Sequence, residues 1–366
     1  MARPVLAKIL VTNLRIVAIG ASAGGLEPLL KLSRMLPASF PAAVCVVMHL
    51  PPLRSSALPM LLGRSQRMPA AYGVDGERVR PGRIYVAPPD RHLLVEGDRI
   101  RIGIGPRENG SRPAIDPLFR SVAQAHGPNV VGVVLSGALF DGTNGLAAIK
   151  ARGGIAVVQD PDEAACPSMP RSALETVSVD HVVPTADLAS LLESLVAAAS
   201  AAAPLRGPGP AVLERDIDIA RDGVHDEKAA FQPFGSPSPF ACPDCHGVLW
   251  EIKEGDMIRF RCRVGHAYLP DALAQAQSEE LEEALWTALR SLRESAALGA
   301  RLGENARKRN LLMVAKAHEG RAEEALERAR VIEAVLMKGE LSASERGSEA
   351  DAEPGGDSNE AERNEG

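Results

Sequence analysis

Hydrophobic and polar positions follow two different patterns along this chain, and the change between them divides it. In the first 200 residues, short runs are almost continuously apolar: 15–19 (with Ile16, Val17, Ala18 and Ile19 stopped by Gly20), 43–48 (AVCVVM), 130–135 (VVGVVL) and 155–159 (IAVVQ). Runs of this length, rich in β-branched residues, predict strands buried on both faces. Stretches with apolar residues at helical spacing lie between several of them, at 26–36, 115–126, 143–152 and 186–199. Strands alternating with helices predict a doubly wound, mostly parallel sheet in a three-layer, Rossmann-like α/β domain. Over 82–104 the pattern changes to short strands around Gly97-Asp98, which predicts a hairpin set on that scaffold.

Beyond residue 200 the strand-helix alternation stops. Residues 201–240 are rich in Pro, Gly and Ser and predict a linker with little structure of its own. A compact Cys/His segment spans 241–270. In 271–339, Leu281, Leu285, Leu289, Leu292 and Ala296, and later Leu326, Ala329, Ile332 and Leu336, recur at helical spacing, predicting two helices as a hairpin or coiled coil with a break at Gly303-Glu304-Asn305. The tail over 340–366 is acidic and polar and is expected to be disordered.

Composition narrows the function classes. The chain has 366 residues, 45% of them hydrophobic but only 3% aromatic, so the core is aliphatic. A net charge of −6 argues against nucleic acid as a partner. No run of apolar residues is long enough for membrane insertion, and the N-terminus lacks a secretory h-region and cleavage site. Five cysteines, an odd number with three beside histidine, favour a reducing cytoplasmic location and metal binding over disulfides.

In doubly wound sheets chemistry gathers at the carboxyl ends of the strands. There the sequence places Ser22 in a glycine-flanked turn, His49 after AVCVVM, Asp141 after VVGVVL and Asp160 after IAVVQ. A serine hydroxyl needs a base to take its proton, and the base needs a carboxylate to fix its tautomer and stabilise its cation. Backbone N–H groups around Ala23, Gly24 and Gly25 are candidates for an oxyanion site. On the residues alone, Ser22 is a nucleophile or simply part of a phosphate cradle or tight turn, and Asp141 competes with Asp160 for the acid. The order Ser…His…Asp differs from that of the α/β-hydrolases despite the shared G-x-S-x-G spelling. Dinucleotide binding fits less well, because the glycine spacing is wrong and His49 stands where a ribose-binding acid is needed. His92 and Cys166 read as structural.

The words IGASAGG, VVMHLPP, PGRIYVAPPDRHLL, RPAIDPLFRSVA, VVLSGALFDGTNGL and QDPDEAACPSMPRSAL run in order through residues 1–200, and together they resemble the catalytic domain of the CheB-type chemotaxis protein-glutamate methylesterases. That resemblance implies a triad of Ser22, His49 and Asp141, and so selects Asp141 over Asp160. It implies hydrolysis of glutamate γ-methyl esters on the cytoplasmic helices of methyl-accepting chemoreceptors through an acyl-enzyme, with methanol released and no cofactor for catalysis. Many members also deamidate receptor glutamines. Two positions depart from the family pattern: Ala23 follows the serine where many members have threonine, and Ala138 precedes the aspartate where many have methionine. The chain starts just before the first catalytic strand, so the expectation is a stand-alone form regulated by something other than a receiver domain. The alternatives are an esterase or amidase acting on another protein, and a catalytically idle signalling adaptor.

In the second half, Cys242-Pro-Asp-Cys245 and the later Cys262 and His266 have the spacing of a tetrahedral structural zinc site on a small ribbon whose hairpin turns at Gly255-Asp256. His246 competes with His266 as the fourth ligand. Some stand-alone members of the resembled family carry similar tails. The C-terminal helices read as a device for docking a regulatory protein or for self-association.

Overall fold

Successive positions of the first apolar run serve opposite faces of one sheet. In a computed structural model that describes residues 14–49, 56–65, 67–198, 211–223, 235–254 and 257–349, Ile16 and Ala18 enter the core on one side while Val17 and Ile19 enter the core on the other. They belong to β1 (Ile16–Ala21), the centre of a seven-stranded sheet with β2 (Ala43–Met48), β3 (Ala70–Tyr72), β4 (Ile84–Val86), β7 (Val130–Val134), β8 (Ile155–Gln159) and β9 (His181–Val183). The strand order is β3-β4-β2-β1-β7-β8-β9, and every pairing is parallel. From β1 the chain adds β2, then the edge strand β3, then β4 between β2 and β3, before it crosses to β7 and builds outward on the other side. The crevice at that reversal opens at the carboxyl ends of β1, β2 and β7, the place such sheets use for ligands.

Helices cover both faces. Leu118, Phe119 and Val122 of α3 (Ile115–His126) and Leu146 and Ile149 of α4 (Thr143–Ala151) fill one core. Leu29 and Leu32 of α1 (Leu26–Met35), Leu58 and Leu62 of α2 (Leu58–Gly63), and Leu188 and Leu192 of α6 (Thr185–Ala198) fill the other. A further helix, α5 (Ser168–Thr176), follows β8. The hairpin expected around Gly97-Asp98 is present as antiparallel β5 (His92–Glu96) and β6 (Arg99–Gly103). The beginning of that stretch behaves differently: Ile84–Val86 is buried and pairs with β2 as a parallel sheet strand.

The expected linker over 201–240 contains a helix, α7 (Ala211–Asp222), which buries Leu213, Ile217, Ile219 and Ala220. Glycine makes its docking possible. A Cβ at Gly103 or Gly105 would stand 2.2 Å from a carbonyl oxygen of α7, at Ala220 and Ile219 respectively. The last residues of the expected linker, 236–240, belong to β10 (Ser236–Ala241), the edge of an antiparallel four-stranded ribbon with β11 (Val248–Glu254), β12 (Met257–Cys262) and β13 (Ala267–Tyr268). The expected turn at Gly255-Asp256 lies outside the described residues, as do 199–210, 224–234 and the tail from 350.

By its internal contacts the chain forms two compact units, Met1–Ala276 and Gln277–Gly366. The first contains both the α/β part and the ribbon, whose own core of Leu249, Phe260, Tyr268, Leu269 and Leu273 is capped by Phe140. The second is built from α8 (Pro270–Lys308), from Gln277 onward, and α9 (Leu312–Glu349). Leu289, Ala329 and Leu336 form its small core. The helix break expected at Gly303-Glu304-Asn305 falls inside α8 instead. Gly303 provides closeness rather than a turn, since a Cβ there would meet Glu319 at 2.9 Å. The reversal comes at Asn310, whose φ of 61° suits asparagine. The second helix runs to Glu349, ten residues past the expected end at 339. Among the described residues no helix is long and apolar enough to cross a membrane.

Candidate active site

The three residues singled out at strand ends come from three adjacent strands. Ser22 directly follows β1, and its N–H donates to Ser136 O beyond β7 at 3.0 Å. His49 follows β2, and its N–H donates to Ala21 O at 3.1 Å, which sets it beside the Ser22 turn. Asp141 follows β7. Gly137, between them, has no room for a side chain, as a Cβ there would stand 2.9 Å from Ser22 Cβ. Asp160, the rival acid, instead accepts the N–H of Asp162 in its own turn at 3.0 Å.

His49 Nε2 lies 2.8 Å from Asp141 Oδ2. That carboxylate is buried and heavily supported. Its Oδ2 also accepts Ile115 N–H at 2.6 Å, and its Oδ1 accepts the N–H groups of Gly142 at 3.0 Å and Asp116 at 3.3 Å and the Asn109 amide at 3.1 Å. Two of these donors are the first N–H groups of α3, so the carboxylate sits at a helix N-terminus. Burial pushes the Asp141 pKa up, but the His49 hydrogen bond and charge and the surrounding N–H donors outweigh it and hold it below the ordinary value.

The Ser22 hydroxyl has no hydrogen-bond partner among the described residues. In the turn that follows, Gly25 N–H donates to Ser22 O at 2.9 Å. Gly25 therefore spends its N–H on closing the turn and is not an oxyanion donor, contrary to the sequence expectation. Ala23 and Gly24, both exposed, keep theirs without an acceptor among the described residues, and Gly24 adopts a φ of 71° that a side chain would strain. A groove lined by Gly24, Leu26, Glu27, Leu30, Lys31, Arg34 and Ala165 runs beside this turn along α1.

Several site residues escaped sequence reasoning, and they cluster in one turn. Glu108 and Ser111 exchange backbone hydrogen bonds around Asn109 and Gly110, both at positive φ (50° and 72°). The Asn-Gly pair at 109–110 is the sequence signal for such a turn. From it Ser111 Oγ reaches to 3.5 Å from His49 Nδ1, and both buried Glu108 carboxylate oxygens accept from Arg120 Nη2, at 2.8 and 2.6 Å. Burial pushes Glu108 up, yet the charges of Arg120 and Arg261 prevail and bring its pKa down to about 2. Asp116 shares the Asn109 amide with Asp141 (3.2 Å), and burial followed by the Asp141 charge pushes its pKa up to about 7. His92 is buried with its ring nitrogens engaged by Pro106 O and Ala114 N–H, and Cys166 is a free thiol, consistent with structural roles for both.

In the ribbon, Cys242, Cys245, Cys262 and His266 place one ligand atom each within 4.8 Å of one another, and His246 is not in the set. Sulfur and nitrogen atoms on a zinc ion at ordinary bond lengths lie about 3.5 to 3.8 Å apart along the tetrahedron's edges. The observed separations are 3.6 Å for Cys242 Sγ to His266 Nδ1, 3.6 Å for Cys245 Sγ to Cys262 Sγ and 3.5 Å for Cys262 Sγ to His266 Nδ1. The donor set fits a zinc ion with no coordination position left open.

Residues 17–192 match the family model described as CheB methylesterase. A putative protein-glutamate methylesterase/protein-glutamine glutaminase of Leptospira interrogans serogroup Icterohaemorrhagiae serovar copenhageni is 38% identical over 180 residues, covering 49% of this chain and 93% of that relative. A protein-glutamate methylesterase/protein-glutamine glutaminase 1 of Xanthomonas euvesicatoria pv. vesicatoria is 40% identical over 192 residues, covering 51% of this chain and 53% of that relative. Among solved structures, the Thermotoga maritima CheB methylesterase catalytic domain is 32% identical, with a TM-score of 0.48 over 50% of this chain and 99% of that one.

Proposed function

The chain belongs to the CheB methylesterase family of carboxylic ester hydrolases, and from that membership we propose that Ser22, His49 and Asp141 hydrolyse glutamate γ-methyl esters on chemoreceptor-like proteins. The observation that carries this reading is the 2.8 Å hydrogen bond between His49 and a buried, ionised Asp141, at the strand end beside Ser22. With Nε2 engaged by Asp141, the lone pair offered to Ser22 is on Nδ1. Ser22 Oγ attacks the ester carbonyl as His49 takes its proton, and Asp141 stabilises the imidazolium. The N–H groups of Ala23 and Gly24 receive the oxyanion. Collapse expels the methoxy group, which leaves as methanol with the proton from His49. Water then gives a proton to His49 and attacks the acyl-enzyme, releasing the glutamate side chain and free Ser22. The groove along α1 would receive the receptor helix.

A glutamine side chain would pass through the same acyl-enzyme with ammonia as leaving group, in keeping with the second half of the relatives' names. Ala23 and Ala138 offer neither a hydroxyl nor a long side chain where many members of the family carry threonine and methionine. Four ribbon residues, Cys242, Cys245, Cys262 and His266, would hold a structural zinc that supplies folding energy and takes no part in the reaction. We place the enzyme in the cytoplasm, where receptor signalling helices lie.

Methanol release from a methylated receptor fragment tests this. Wild type is expected to release it and Ser22→Ala to fall to background. Equal release from both would remove Ser22 from the chemistry.

A further inference from the structure

One side chain, Asn109, joins the ribbon directly to the Asp141 carboxylate. Asn109 points its amide nitrogen at Asp141 Oδ1 (3.1 Å) and at Asp116 Oδ2 (3.2 Å), while its Oδ1 accepts the N–H of Leu269 (3.1 Å), 160 residues away in the ribbon. Its backbone is held from the same side, since Asn109 N–H donates to Ala267 O at 2.8 Å, and Glu108 bridges Ala267 in parallel register. Ala267 begins β13, directly after His266. On the other flank of Asp141, Phe140 packs into the ribbon core. Asn109 is only 8% exposed, so these bonds face no competition from bulk water.

The amide has a division of labour that no other residue type reproduces. A donor is needed toward the two carboxylates, an acceptor toward Leu269, and a side chain that tolerates φ of 50°. We propose that Asn109 is a positioning residue for the esterase, fixing the Asp141 carboxylate so that Oδ2 faces His49, and that the Cys/His ribbon in turn fixes Asn109. The ribbon is thereby part of the catalytic scaffold. This rests on the triad reading given above.

Two variants of the full-length chain test it, each normalised to active sites titrated with a serine-directed phosphonate. Asn109→Gly keeps the positive φ without strain and deletes all three side-chain bonds. Asn109→Asp keeps an acceptor for Leu269 but sets a carboxyl against Asp141 and Asp116, with Glu108 and Arg120 beside it, His49 beyond Asp141, and Arg259 and Tyr268 on the ribbon side. In Asn109→Gly, kcat is expected to fall about a hundredfold with KM unchanged, as for a misplaced catalytic group. The proton between His49 and Asp141, whose resonance is expected far downfield in the wild-type NMR spectrum, should shift or be lost to exchange. The Leu269 amide should exchange faster with deuterium in Asn109→Gly and at the wild-type rate in Asn109→Asp. The activity of Asn109→Asp relative to wild type should rise as pH falls, because the introduced carboxyl can donate only when protonated. Wild-type kcat and an unshifted downfield proton in Asn109→Gly would overturn the proposal, as would a pH-independent activity ratio for Asn109→Asp should the glycine variant not fold. Ser22→Ala assayed alongside separates the two readings. If it retains activity the triad reading fails; if it is inactive while the Asn109 variants match wild type, only the positioning role fails.

Discussion

Two carboxylates separated by one amide carry opposite charge preferences. Asp141 is surrounded by N–H donors and His49 and stays ionised, while Asp116, among the described residues, accepts Gly145 N–H at 2.6 Å and the Asn109 amide at 3.2 Å and must face the Asp141 charge from within the core. Burial and that charge raise its pKa from 3.8 to about 7. The folded state therefore holds this proton more tightly than the unfolded state, and stability contributed by the protonated form is present below the unfolded pKa and is lost as pH rises toward the folded one. Urea unfolding is expected to show stability falling between about pH 4 and about pH 7, and Asp116→Asn, which cannot ionise, should flatten that slope whatever its absolute stability. A variant with the wild-type slope would assign the pH dependence to another group. Residues of this kind are hard to read from sequence. Ser22, His49 and Asp141 were legible because each follows an apolar strand, and the family words then selected Asp141 over Asp160. Asn109 and Asp116 gain their roles from partners that only the fold brings close.

Among the elements, long periodic segments were the legible ones. Three-residue β3 and β9 were not, because so short a strand shows no pattern and is defined by its neighbour in the sheet. Helix α7 was hidden by the Pro- and Gly-rich residues around it, although Leu213, Ile217 and Ala220 keep helical spacing. The ribbon was legible through its ligands, whose spacing is diagnostic where its hydrophobic pattern is not. A core this small gains much of its stability from the metal when bound. Metal analysis of the purified chain is expected to give about one zinc per chain, the stoichiometry of a closed four-ligand site. Cys262→Ser should lower that content and Cys166→Ser should not. His246→Ala should leave it unchanged, since His246 stands outside the ligand set. Unchanged zinc in Cys262→Ser would remove that ligand.

At the scale of the whole molecule, the boundary that matters is Ala276 rather than residue 200. Three buried ion pairs among four residues link the ribbon to the rest of its unit: Arg261 reaches Asp216 of α7 at 3.1 Å and Glu108 at 3.4 Å, and Arg259 pairs with Asp216 at 2.5 Å. Asp216 and Arg261 are 1% and 0% exposed. Such pairs need not be strongly stabilising as a set, but removing one side leaves the other as an uncompensated buried charge, at about 3–5 kcal/mol. A chain ending at Gly223 keeps Asp216 and Glu108 but loses both arginines, and is expected to lose stability on that scale together with methanol release. A chain ending at Ala276 keeps every one of these pairs and should retain the wild-type unfolding midpoint and kcat. That second truncation also isolates the helical unit, whose α8 and α9 leave Leu281, Leu298, Met313 and Val331 exposed. If those helices dock a regulator or a second copy, removing them should change the mass measured by light scattering or the esterase activity in cells while the purified enzyme works as before. A truncation after Ala276 that alters neither would strip the helices of both roles, and a truncation after Gly223 as stable and active as wild type would show that the ribbon is a passenger on the catalytic unit.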